Sequence, residues 1–143
     1  MTKSRLFILM LLAFAGCKKE NDPVPSPEVA SIVGKWRAVE YRQSRGDSTI
    51  SQPLTEENSW VYEFRFDGVV LNERGYVPCC LPSVYYLNGK EFRPDRTVPA
   101  ELDPSCAYSL CVACPEMKIT QTSPDSLTIE NCQNYFTTFV RKD

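Results

Sequence analysis

The sequence predicts an all-β domain over residues 31–143, a sandwich or a closed barrel of about eight short strands. Three observations carry that expectation. The longer segments alternate apolar and polar residues. Two residue pairs, Asp67-Gly68 and Asn88-Gly89, supply the positive φ of tight hairpins. Helical periodicity is hard to find anywhere in the chain. The 143 residues, 43% hydrophobic and 24% charged, suffice for one core and fall short of two.

The first strand is expected at Lys35–Arg42. The clearest alternation follows in Trp60-Val61-Tyr62-Glu63-Phe64-Arg65-Phe66, with the four aromatic residues on one face and Val61, Glu63 and Arg65 on the other. Asp67-Gly68 turns the chain, and Val69-Val70-Leu71 begins the return. Asn88-Gly89 joins Val84–Leu87 to Glu91–Arg93 in the same way. Ser123-Pro124-Asp125 links Met117–Thr120 to Leu127–Ile129, aligning Met117 with Ile129 and Ile119 with Leu127. The last strand is expected at Tyr135–Arg141.

Ahead of the domain lies an address. Lys3 and Arg5 precede the unbroken apolar run Leu6–Phe14, which is too short for a bilayer-spanning helix and fits a signal-peptide core. Ala15-Gly16-Cys17 then resembles the lipobox of bacterial lipoproteins, with Phe14 standing where that family usually has Leu. The resemblance implies cleavage after residue 16 and lipidation of Cys17, with acyl chains such as palmitate holding the protein on a bilayer. It also implies the cell envelope, with the outer membrane of a Gram-negative bacterium, on its periplasmic or surface face, as the expected address. Residues 17–30 read as a tether, because Asn21-Asp22-Pro23-Val24-Pro25-Ser26-Pro27 favours extended backbone. Lys18-Lys19-Glu20-Asn21-Asp22 partly resembles a surface-export signal and reads equally well as solvated tether.

A second resemblance chooses between sandwich and barrel. Ile32-Val33-Gly34-Lys35-Trp36-Arg37 holds Gly-x-Trp at the entry to the first strand, and Phe139-Val140-Arg141 closes the last. This resembles lipocalins and lipocalin-like lipoproteins, in which the Gly bends the chain into the barrel and the Trp plugs its closed end. A basic side chain of the last strand lies over that Trp, the place Arg141 would take. The Trp60–Gly68 stretch is similar to the aromatic strand and turn of bacterial lipocalin-like domains. The resemblance implies an antiparallel up-and-down barrel, with a Cys/Pro-rich insertion at residues 76–115 that matches no pattern.

With Cys17 lipidated, Cys79, Cys80, Cys106, Cys111, Cys114 and Cys132 remain, an even number suited to an oxidising compartment. A zinc site built on Cys111-Val112-Ala113-Cys114 lacks a second well-spaced ligand pair. A redox-active reading of the same motif lacks the βαβ setting that lowers a thiol pKa. Three structural disulfides are expected instead. The hairpin register places Cys114 opposite Cys132, and the vicinal Cys79 and Cys80 take Cys106 and Cys111 in an order the sequence leaves open.

Function classes narrow by exclusion. With no His, imidazole-based catalysis and His-ligated metal are ruled out. A net charge of −2 argues against nucleic acid as a partner. Glu56-Glu57 are neighbours whose side chains point apart, so no facing carboxylate pair for glycosidase chemistry is evident. Asp47-Ser48-Thr49 and Asp125-Ser126-Leu127 resemble a short bacterial O-glycosylation signal. The expectation is a non-enzymatic protein without metal or cofactor. Its occupant is a small apolar ligand, with Trp60, Tyr62, Phe64 and Phe66 as lining residues. The alternative is a surface protein without a pocket, whose stapled 76–115 insertion binds a partner through Tyr85, Tyr86 and Tyr108.

Overall fold

The computed structural model describes residues 23–132 and 134–143. Nine strands are present among them: β1 Gly34–Arg45, β2 Ser48–Pro53, β3 Val61–Phe64, β4 Val70–Asn72, β5 Tyr85–Leu87, β6 Lys90–Phe92, β7 Met117–Ser123, β8 Ser126–Asn131 and β9 Tyr135–Lys142. There is one short 3-10 turn, Pro104–Tyr108, and no α-helix among the described residues. The all-β expectation holds.

The strands form one curled sheet in the order β4-β3-β1-β9-β8-β7-β5-β6, and β2 pairs with the far half of β1. Alternation explains the wall of this curl. Met117 and Ile119, Leu127 and Ile129, and Thr137 and Phe139 are all buried on the inner face, while their neighbours along each strand are more exposed. Trp36, Ala38 and Phe64 complete that face from β1 and β3. Each large apolar side chain so buried contributes roughly 1.5–3 kcal/mol. Gly68 (φ +81°) makes the first predicted hairpin turn, and Asn88 (φ +50°) with Gly89 (φ +83°) makes the second.

Closure is where the expectation fails. The sheet is an open half-barrel and not a closed antiparallel barrel. Its two ends, β4 and β6, do not pair, and β5 runs parallel to β7, with Tyr85 beside Met117 and Leu87 beside Ile119. A parallel pair needs a long crossover, and residues 93–116 supply it. Part of that crossover crosses the gap as a strap over Pro94–Asp103. It continues from the β6 margin and hydrogen-bonds to the β4 margin, Asp95 N to Asp67 O (2.9 Å), Val77 N to Glu101 O (2.8 Å) and Asp103 N to Val77 O (2.9 Å). Pro94 and Pro99 remove backbone donors, so the strap does not become a closing strand.

Two further expectations are corrected. The β7–β8 register is Ile119 with Ile129 and Met117 with Asn131, two residues from the predicted alignment, because the chain turns later, at Pro124-Asp125 with Ser123 paired to Ser126, and the one-residue bulge between Gln121 and Ser123 takes back only part of that shift. The tether ends earlier than residue 30. Ser26 N donates to Phe66 O (2.8 Å), and Val29, like Ile32, is fully buried in the core, so the apolar Val29-x-x-Ile32 turn belongs to the domain.

Candidate functional site

The gap between the sheet margins is also where a cleft forms. Val69 and Val70 come from the β3–β4 hairpin, Tyr85 from β5, Leu81 from the loop before it, and Val98 and Leu102 from the strap. Together with Val77, Pro94, Arg96, Pro99 and Ala100 they enclose about 490 Å³, within the range of small-molecule sites. The lining is apolar apart from Arg96 and the Tyr85 hydroxyl. Burial pushes that hydroxyl up to about 12, with the Arg96 charge opposing the shift. Phe92 stacks on the Tyr85 ring at 5.3 Å and fixes its plane.

Side chains from β3, β4 and the loops beside them hold the strap in place. The Arg65 guanidinium forks onto buried Asp67 (Nε to Oδ1 2.8 Å) and donates to the carbonyls of Val98 (2.7 Å) and Pro99 (3.1 Å). At the other end Asp103 accepts from Ser105 N (2.9 Å) and Ser105 Oγ (2.7 Å), from Asn72 Nδ2 (2.6 Å) and from Arg74 Nη2 (2.5 Å). The Ser105 donors foremost, and Arg74 after them, lower the Asp103 carboxyl to about 2.

The cysteines staple the same side. Cys79 bonds Cys106, Cys80 bonds Cys111, and Cys114 bonds Cys132, so the structure supplies the order that the sequence left open. Cys111 and Cys114 lie in different bridges, which leaves no free Cys-x-x-Cys pair. Between Cys106 and Cys114 every residue is exposed. Tyr108, Leu110 and Val112 are 91%, 106% and 91% exposed. Of the other two tyrosines expected to make the insertion adhesive, Tyr85 is buried and Tyr86 half-buried.

Where β1 begins and β9 ends, Gly34, Trp36 and Arg141 come together. Trp36 is fully buried, and its indole N–H donates to Ile32 O (2.7 Å). Arg141, its direct partner across the β1–β9 ladder, holds its guanidinium carbon 4.3 Å from the ring centroid. Arg141 also donates to the carbonyls of Val33 (3.0 Å), Ser31 (3.1 Å) and Pro124 (3.1 Å). Gly34 (φ +120°) passes so close that a Cβ there would sit 3.1 Å from Arg141 Nη1, so this crossing favours a residue without one.

Of the predicted aromatic row, Tyr62 and Phe64 pack inward while Trp60 is exposed, and none of the four lines the cleft. Trp60 meets Phe139 edge-on at 6.1 Å, Tyr62 stacks on it at 5.5 Å, and Phe64 is buried in the core. Phe66 lies under Arg65 and borders a separate, more polar cleft with Glu28, Asp67, Glu91 and Asp95. Tyr62 and Phe64 therefore fill space that a closed barrel would have left for a ligand. Glu56 is exposed near Arg37 (3.7 Å), Glu57 is exposed, and no cluster of metal-ligating residues occurs among the described residues. Ser48 and Thr49 are exposed at the β1–β2 turn, and Ser126 is half-buried at the start of β8. Cys17 and the leader lie outside the described residues.

No family model, curated protein or solved structure matches the chain. The cleft must therefore be read from its own walls. Sequence reasoning missed Val77, Leu81, Arg96 and Val98. The available signal was the two prolines of residues 94–102, Pro94 and Pro99, beside Val98, Ala100 and Leu102.

Proposed function

We propose that this chain is a lipocalin-like envelope lipoprotein of a Gram-negative bacterium, tethered through acyl chains on Cys17, whose β domain holds a small apolar ligand without transforming it. The observation that carries the ligand reading is the strapped cleft of about 490 Å³ with its nearly continuous apolar lining. The leader pattern and the bridged cysteines support an exported, anchored protein. The meeting of Gly34, Trp36 and Arg141 supports the lipocalin-like reading, in a domain whose calyx is opened on one side and re-covered by the strap.

The test has two arms. In a Gram-negative host fed an alkyne analogue of palmitate, the chain takes up label and Cys17→Ser does not; equal labelling refutes the anchor. The purified full chain carrying Cys17→Ser enhances the fluorescence of the neutral dye N-phenylnaphthylamine, and adding Ala100→Trp at the cleft wall abolishes the enhancement. Dye binding that ignores Ala100→Trp, or no binding, refutes the ligand reading.

A second reading is favoured by one observation, the almost complete exposure of Tyr108, Leu110 and Val112 on a stapled loop. Apolar side chains displayed together in this way suit a protein partner at the surface.

A further inference from the structure

The cleft has a polar feature that its apolar walls do not require. Arg65, Arg74 and Arg93 are each paired with a carboxylate, at 2.5 Å, 2.5 Å and 3.2 Å. Arg96 makes no ion pair and no hydrogen bond among the described residues, although it lines the cleft. Tyr85 is buried, and its hydroxyl likewise has no hydrogen-bond partner among the described residues. A phenol whose proton is held this firmly stays a donor throughout the physiological range. No Asp or Glu lines the cleft, so nothing in its wall repels an anion.

We propose that the cleft selects single-chain amphiphiles with an anionic head, of which a fatty acid is the simplest, Arg96 pairing with the carboxylate while Val70, Leu81, Val98 and Leu102 bury the chain. This rests on the ligand reading above and specifies its chemical class. A planar guanidinium can offer two parallel N–H donors to a carboxylate, and the Tyr85 hydroxyl can add a third from the buried side. A neutral chain of the same length would gain only the apolar walls. Specificity therefore resides in the head, and affinity in the tail.

The experiment displaces N-phenylnaphthylamine from the full Cys17→Ser chain at neutral pH, with decanoate and decanol as matched competitors. Decanoate is expected to displace the dye at about tenfold lower concentration, the size of one charge-assisted contact near the surface. Arg96→Met is expected to remove this preference and Arg96→Lys to keep most of it. Arg93→Met, outside the cleft, should leave it intact. Arg96 is exposed, so these variants do not threaten the fold. Equal displacement by acid and alcohol, or a preference that survives Arg96→Met, overturns the anionic-head proposal while the apolar-ligand reading stands. Failure of the dye and of both competitors to bind overturns both.

Discussion

In the ladder of β1 with β9, eight residue pairs face one another, whereas β4, β5 and β6 contribute three residues each. The long strands bury Trp36, Ile119, Leu127, Ile129 and Phe139 almost completely, so the hydrophobic effect and a continuous set of backbone bonds hold the wall. Across the gap the order comes from other sources. Two of the disulfides, the Arg65 and Asp103 clusters and the two strap prolines stand in for a ladder there. The comparison teaches that a sheet can forgo closure where cross-links and side-chain bonds to backbone carbonyls span its margins. The cleft occupies the space between those two kinds of order.

The largest expected effect falls on the wall. Trp36→Ala removes a fully buried indole together with its bond to Ile32 O and its contact with Arg141. A loss of about 3–5 kcal/mol is expected in denaturant unfolding, with the whole domain melting as a unit. A loss below about 1 kcal/mol would mean that the wall does not depend on this junction of β1 with β9.

The second acts on the gap. Replacing Cys80 and Cys111 by Ser together should cost about 2–4 kcal/mol. Hydrogen exchange should rise mainly over residues 77–113 while β8 and β9 keep their protection. Uniform loss of protection would show that the two regions are one cooperative unit.

The smallest sharpens the boundary between them. The Asp103 carboxyl is lowered to about 2, against an unfolded value of ~3.9. A lowered folded-state value means that its stabilisation is complete above the unfolded pKa and disappears as pH falls through the folded one. Wild type should therefore melt above Asp103→Asn at about pH 5, and the two should converge toward about pH 2. A gap that persists at acid pH would assign the role of Asp103 to shape and not to charge.

Much of the wall was legible in the residues. Asp67-Gly68 and Asn88-Gly89 each demand a left-handed backbone, and both make their turns. Alternation located β7, β8 and β9 because one face of each is dry. The β7–β8 register escaped detection, since a slip of two residues keeps the same side chains inward and leaves the hydrophobic pattern unchanged. The opening escaped because strands of three residues carry too little pattern to reveal direction, and nothing in Tyr85-Tyr86-Leu87 announces a parallel neighbour. The cleft was hardest to foresee. Its walls come from a proline-rich stretch without period, and Tyr62 and Phe64 of the conspicuous aromatic row turned out to be filling.

The pairing of β1 with β9 also sets an order of events. Trp36 faces Arg141, so the second edge of the first strand stays bare until the final strand has been delivered. Loop closure over that span is slow compared with the local hairpins, and an uncovered edge invites association with other chains in the meantime. A polypeptide that emerges from its amino end would therefore spend most of its delivery time unable to complete its own wall, and that edge stays open to other chains until the last residues arrive.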